Sequence, residues 1–241
     1  MKYYSQSGQD EFVDKHVFQG KRDGFFLDIG AHDGVSLSNT YVLEQERGWR
    51  GICVEPIPGR FEECRKNRRS ICIQGCIAKS PGPSKFVIAQ GVDMLSALAC
   101  AASQEHYDRI RNEGATPVEV EVQCYTFNDI VATHDVKHID FCSIDTEGAE
   151  LEILATIDFA KYRPTCFTVE DNGQVVGIWR LLHRNGYSLV ERLGGDLIFV
   201  DRNFAHRMPR VGFLRRGSLA RRLMKSAVRR IWRRLHIRKN G

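Results

Sequence analysis

The stretch Gly24-Phe25-Phe26-Leu27-Asp28-Ile29-Gly30-Ala31-His32-Asp33-Gly34 decides the fold. Phe25 to Ile29 is an apolar run that reads as a buried strand, and it breaks at Gly30 and Gly34. Ser36 to Gln45 then reads as a helix, closed by Gly48 just past its end. Strand, glycine turn and helix open a nucleotide-binding βαβ unit. Gly30 permits the sharp turn, and Gly34 lets a ligand or the helix approach without a Cβ in the way.

A second strand, Gly51 to Glu55, ends in a carboxylate about 20 residues after the turn, where an acid can accept hydrogen bonds from both ribose hydroxyls of a nucleoside. The turn itself is not GxGxxG. A pyrophosphate wants a glycine loop running into a helix N-terminus; here Asp28 closes the strand, which suits a cationic ligand such as the sulfonium of S-adenosylmethionine. The absent GxGxxG counts against an NAD-type Rossmann oxidoreductase, one of two competing readings. The other is a non-catalytic cofactor-binding or membrane-scaffold protein, against which the strand-end acids Asp28, Glu55 and Asp145 weigh.

Working outward, Ser5 to Phe18 is a short helical lead-in with Phe12, Val13, Val17 and Phe18 on one face. After Glu55, Pro56-Ile57-Pro58-Gly59 breaks the chain and Arg60 to Arg68 reads as a charged surface helix. Ile71 to Gln74 is a third strand; Pro81 to Ser84 is a turn leading into Lys85 to Ala89. Gly91 to Gly114 has no clean period and reads as loop and short helix, the natural place for a lid or substrate-contacting insertion. Val118 to Cys124 alternates and should be a half-exposed strand near a sheet edge.

Strand–helix alternation then resumes. His138 to Asp145 is a strand, with Thr146 capping a helix Glu147 to Ile157; Thr165 to Asp171 is a strand followed by a helix Val175 to His183. Tyr187 to Glu191 and Asp196 to Val200 form a closing hairpin that leaves one antiparallel strand at the end of the sheet. The pattern predicts an α/β domain with a doubly wound, mostly parallel sheet of six or seven strands.

At 241 residues and 42% apolar composition, the chain suits one large domain rather than two. No run of about 18 apolar residues predicts a membrane span, and Met1 to Gln6 carries no signal-peptide core, so a cytoplasmic protein is expected. The eight cysteines contain no CxxC pair; Cys53, Cys72, Cys124, Cys142 and Cys166 fall in predicted strands, where a free thiol behaves as a small hydrophobe. Cys72 and Cys76 lack a second pair that would make them metal ligands.

The net charge of +5 conceals a division. Residues 205–241 hold 13 of the 35 Lys and Arg and none of the 30 acids, which leaves the body, residues 1–204, strongly acidic. Leu219, Leu223, Met224, Ala227, Val228, Ile231, Trp232 and Leu235 recur at helical spacing among arginines. That is a basic amphipathic helix fitted to an anionic membrane surface. A helix packed on the acidic body or on a protein partner is the plainer reading, and RNA fits less well because few aromatic residues interleave with the bases.

The functional argument rests on where the acids fall. Asp28, Glu55, Asp145, Glu170 and Asp171 all sit at predicted carboxyl ends of strands, where an open parallel sheet binds its ligands. The whole pattern resembles the class I S-adenosyl-L-methionine-dependent methyltransferases, and among them the FkbM family, over Tyr4 to Asp201. The residues that carry the resemblance are Tyr4 to Asp10, Phe26 to Gly34, Val54-Glu55-Pro56 and, most specifically, Ser143-Ile144-Asp145-Thr146-Glu147-Gly148-Ala149-Glu150-Leu151-Glu152. His32 stands where the family usually has Asn.

The resemblance implies a seven-stranded Rossmann-like sheet and methyl transfer to a hydroxyl of a sugar, glycan or natural product. It assigns Asp28, Gly30 and Gly34 to the methionine side of the cofactor, Ser36 to its carboxylate and Glu55 to its ribose. Asp145 would stand beside the methyl group and acceptor. Asp145 with Glu170-Asp171-Asn172 is similar to the arrangement in Mg-dependent O-methyltransferases, which makes Asp145, Glu170 and Asp171 candidate metal ligands and Asp145 and Asp171 candidate catalytic residues. Against this stand Glu170 and Asp171 as mere caps of the next helix, or Asp145 as a metal-free base, so metal and no metal stay equally open. His32, His138 and His183 are further candidate bases, of which only His32 is on the crevice side.

Overall fold

The computed structural model describes residues 1–206. The predicted basic tail, apart from Ala205 and His206, therefore lies outside the described residues. The strands are β1 Phe25–Ile29, β2 Arg50–Glu55, β3 Ile71–Gln74, β4 Cys76–Ile77, β5 Gly82–Gln90, β6 Ala97–Leu98, β7 Thr116–Tyr125, β8 Phe141–Ile144, β9 Cys166–Glu170, β10 Tyr187–Leu193 and β11 Asp196–Asp201. Seven of them make one sheet, in the order β10-β11-β9-β8-β1-β2-β3. β11 runs antiparallel to both its neighbours and every other pair is parallel. The strand order turns at β1, between β8 and β2, which is the switch point where such sheets bind ligands.

Alternation along β1 loads both faces of the sheet. Leu27 and Ile29, with Ile52 and Val54 of β2, pack against Phe127, Ile153, Leu154 and Ile178. Phe26 and Cys53 face the other way, toward Val13, Val17, Val42, Leu43 and Trp49. Helices thus cover both faces, and strands buried on both sides explain the unbroken apolar runs in the sequence. The lead-in is a helix Gln9–Phe12 that continues as a π-helical turn Val13–Val17. Its buried Asp14 clamps Arg47 at the far end of the helix Tyr41–Arg47, with Nε–Oδ1 at 2.8 Å and Nη2–Oδ2 at 2.9 Å. That pair fixes the first turn of chain onto the face that carries Asp28.

Two expectations need correction. The antiparallel strand is not at the sheet's end: β11 inserts between β9 and β10, and β10 takes the edge. The reason is burial, since all six residues of β11 are buried whereas β10 leaves Ser188 and Glu191 to Leu193 half-exposed. Val118 to Cys124 is a half-exposed strand near a sheet edge, as expected, and the sheet is a second one. It belongs to β7 of a sheet ordered β4-β7-β5-β6, pairs antiparallel with β5 from Gly82↔Cys124 to Gln90↔Thr116, and meets the two-residue β4 only at Cys124 and Tyr125. Finally, the predicted surface helix is Pro58–Asn67, and Arg68 after it is buried rather than solvated. Among the described residues no helix is long and apolar enough to cross a membrane.

Candidate functional site

The carboxyl ends of β1, β2, β8 and β9 open into one cavity of about 390 Å³, roofed by residues of the second sheet and of the insertion between β5 and β7. Gly30 is what lets these ends meet. Its φ is +87°, and a Cβ there would stand 1.8 Å from the backbone oxygen of Asp145. The turn is held by Gly30 and Ala31, whose N–H groups donate to the Val54 carbonyl at 3.0 and 3.1 Å, while Asp145 N–H donates to Ile29 at 3.0 Å.

Asp28 is buried at the floor of the cavity. The Thr40 hydroxyl donates to its Oδ2 at 2.6 Å, and the Arg68 guanidinium lies 3.8 Å away. Burial raises its pKa, and Arg68 and then Thr40 pull it back. The helix predicted from Ser36 begins only at Tyr41. Asp33 is responsible: its carboxylate accepts from the N–H groups of Val35 and Ser36 and from the Ser36 hydroxyl, which closes a tight loop, and Leu37 follows at φ +56°. Ser38 then caps the helix, its oxygen accepting from Thr40 and Tyr41 N–H. Ser36 lines the cavity from its exposed rim. Gly34 does not line it; a Cβ there would meet Arg68 Cγ at 2.7 Å and Cys64 Sγ at 3.0 Å, so this glycine makes room for Arg68 rather than for a ligand.

Glu55 closes β2 and also faces the cavity. Its Oε2 accepts from His32 N–H at 2.8 Å and its Oε1 from Ile57 N–H at 2.9 Å, which leaves one lone pair on each oxygen. Burial pushes it up to about 7. His32 sits above it at φ +51°, its Nε2 without a partner, and burial lowers its pKa.

The opposite end is acidic. Oxygens of Asp145, Glu147 and Glu170 lie within 4.8 Å of one another. Asp145 is exposed to the cavity space yet ringed by protein, and its pKa is raised well above its ordinary value, first by burial and then by the charge of Glu170. Glu147 is pushed up to about 8 by burial and then by Glu170, against the pull of Arg109, whose Nη1 lies 3.3 Å from its Oε2. Arg109 comes from the helix Gln104–Asn112 in the insertion, so that segment does reach the site.

Residues 28–189 match the family model of the methyltransferase FkbM domain, about two thirds of the chain. The chain belongs to the FkbM methyltransferase family. Among solved structures, the methyltransferase FkbM from Methylobacillus flagellatus KT shares the fold at a TM-score of 0.50 and 11% identity, over 82% of this chain and 48% of that one. The chain thus spans about half the length of that relative. Looser likenesses are a methyltransferase from Pyrococcus furiosus (TM-score 0.39, 13% identity, 83% of this chain and 87% of that) and the precorrin-6y C5,15-methyltransferase of Geobacter metallireducens GS-15 (0.39, 11%, 75% and 80%). No curated protein matches the sequence.

In this FkbM chain, the cavity gathers Asp28, Gly30, Ser36, Glu55, Asp145 and Glu170 of the residues expected from sequence. Asp171 is elsewhere. Its carboxylate accepts from Val175 N–H at 2.9 Å and pairs with Arg192 at 3.1 Å, so it caps the helix Val175–Arg184 and takes no part in the acidic cluster. Glu147 holds the third place in the cluster. The sequence reading had put it in a helix capped by Thr146, but the helix is Glu150–Thr156 and Glu147 stands before it at φ +54°. The capping is reversed: Glu150 Oε1 accepts from Thr146 N–H, Thr146 hydroxyl and Gly148 N–H, each at 3.0 Å. The pairing of Glu147 with Gly148, a residue free to follow a left-handed turn, was the available signal. Asn39, whose amide donates to Ser143 Oγ at 3.0 Å, and Gln6 also line the cavity unforeseen. Gln6 is set there by Asp10, which accepts from the Tyr4 and Ser5 N–H groups and the Ser5 hydroxyl.

Proposed function

We propose that the protein is an S-adenosyl-L-methionine-dependent O-methyltransferase acting on a hydroxyl of a sugar, glycan or natural product. One observation carries this reading: a single cavity holds Asp28 and Glu55 at one end and Asp145, Glu147 and Glu170 at the other. In this reading Asp28 faces the positively charged methionine end of the cofactor and Glu55 takes the ribose hydroxyls on its remaining lone pairs. The acceptor oxygen attacks the methyl carbon, the sulfur leaves with the bonding electrons as S-adenosylhomocysteine, and the hydroxyl proton passes to Asp145. A carboxylate whose pKa is raised above its ordinary value is a stronger base for a weak nucleophile. Alignment of oxygen, carbon and sulfur supplies the rest.

The convergence of three carboxylates supports a second route for the proton. Asp145, Glu147 and Glu170 form an all-oxygen donor set that fits a hard divalent cation such as Mg²⁺, which would acidify a bound hydroxyl. The test is transfer of labelled methyl from S-adenosylmethionine to a panel of hydroxylated acceptors, with EDTA and with added Mg²⁺. Labelled product that survives EDTA supports Asp145 acting alone; product restored only by Mg²⁺ supports the cation. No product with any acceptor, in a folded protein stabilised by NAD rather than S-adenosylhomocysteine, overturns the proposal in favour of a dinucleotide enzyme.

For the tail we propose docking on an anionic membrane surface, on the strength of its basic amphipathic pattern. Cosedimentation with phosphatidylserine vesicles should be lost on deletion of residues 207–241; unchanged partitioning contradicts it.

A further inference from the structure

Outside the cavity, three cysteines from three separate elements converge. Cys53 on β2 and Cys72 on β3 are register partners, and Cys64 comes from the helix Pro58–Asn67 that covers that face. Their sulfurs lie within 4.8 Å of one another, and Cys64 Sγ to Cys72 Sγ is 3.8 Å. We propose that Cys53, Cys64 and Cys72 form a binding site for a thiophilic d¹⁰ metal ion.

The geometry is that of a site already built. Two thiolates each about 2.3 Å from a tetrahedral ion stand about 3.8 Å apart, so little movement is required. The donor set is all sulfur, which selects Zn²⁺ or Cu⁺ over Mg²⁺ or Ca²⁺. Three thiols leave the fourth position of Zn²⁺ to water, or complete a trigonal shell for Cu⁺. Cys53 and Cys64 are buried and Cys72 is half-exposed, which gives the ion a way in from solvent. Binding is balanced by protons: three S–H groups release three H⁺ as three metal–sulfur bonds form.

The surroundings suit the charge. A Zn²⁺ ion with three thiolates carries a net negative charge, and the buried Arg68 guanidinium stands beside the cluster. Gly34 completes the fit, since a Cβ there would press on Cys64 Sγ at 3.0 Å. Sequence spacing hides the site, because residues 53, 64 and 72 contain no CxxC and meet only through the β2–β3 pairing and the crossing helix. The ion would pin β2, β3 and that helix together one strand away from Asp28, whose register partner is Cys53. The inference does not depend on methyl transfer.

The test is titration of the reduced full-length protein with Co²⁺, followed by displacement with Zn²⁺ and, separately, with Cu⁺. One equivalent of Co²⁺ should give an intense sulfur-to-cobalt charge-transfer band that Zn²⁺ or Cu⁺ abolishes, and Zn²⁺ should raise the melting temperature. Cys72→Ser, at a half-exposed position that tolerates a smaller polar atom, should weaken binding at least tenfold while remaining folded. Cys100→Ser, at an exposed position, should leave the band unchanged, as should Asp145→Asn in the acidic cluster. Absence of the band in folded, reduced wild type, or a band unchanged in Cys72→Ser, would overturn the proposal. So would a Cys64–Cys72 disulfide in non-reducing peptide mapping whose reduction restores no metal binding.

Discussion

The two ends of the cavity are built from different material. At one end Asp28 and Glu55 close paired, buried strands, and their carboxylates are held by the Thr40 hydroxyl and by the His32 and Ile57 N–H groups. At the other end Asp145 leaves its strand to face Glu147 and Arg109, which come from a left-handed loop and from an insertion outside the main sheet. The first end is a rigid cradle whose residues are fixed by the fold. The second is an electrostatic arrangement of three acids and one guanidinium, whose balance depends on loops. A binding site for a constant cofactor beside a site for a variable acceptor would divide in this way.

The contrast can be broken most sharply at two glycines. Gly30→Ala should destabilise the protein by about 4 kcal/mol or more in urea unfolding, because a Cβ at φ +87° meets immovable backbone. Gly148→Ala, at φ +125° in the acid-end loop with nothing nearer than 3.6 Å, should cost only about 1–2 kcal/mol. Equal effects would mean that the two ends are equally rigid.

Next in size, Asp145→Asn should lower the turnover rate about 10²–10³-fold while leaving S-adenosylhomocysteine affinity within about threefold. A parallel loss of affinity would merge the two ends into one. Arg109→Ala should shift the alkaline side of the rate profile upward, since it removes the charge that holds Glu147 down at about 8.

Linkage gives a third handle. Glu55 and Glu147 have folded-state pKa values of about 7 and about 8, above their ordinary value of 4.5, so between those limits the folded protein binds more protons than the unfolded chain. Their contribution to stability is therefore fully present below about pH 4.5 and is lost as pH rises to about 8. Melting temperature should fall over that window, and Glu147→Gln should flatten its upper part. The smallest effect belongs to Asp171→Ala, expected to cost about 1 kcal/mol through the lost helix cap without touching ligand affinity.

The same contrast governs what could be read from sequence. β1 and its strand-end acid Asp28 were legible to the residue, because a strand buried on both faces writes itself as an apolar run. The loop between Gly30 and Tyr41 was not. Ser36 to Thr40 reads as helix only by continuity with Tyr41 to Gln45; the Asp33 carboxylate takes the Val35 and Ser36 N–H groups and closes a loop instead. β5 and β7 read as strands, but the separate sheet they form does not, since alternation reports a half-buried face and not its partner. Glu147 looks from sequence like a first-turn acid and Asp171 like a strand-end ligand, whereas Glu147 stands in a left-handed turn and Asp171 caps a helix. The cysteine trio depends wholly on tertiary contact.

The central claim is that Asp28 and its neighbours bind the cofactor while the acid cluster acts on the acceptor. Calorimetric titration of S-adenosylhomocysteine into wild type, Asp28→Ala and Asp145→Asn, with melting temperatures taken alongside, tests it most directly. The account predicts saturable binding in wild type and Asp145→Asn, and at least a hundredfold loss in a folded Asp28→Ala protein. No binding in folded wild type, or undiminished binding in Asp28→Ala, would contradict it.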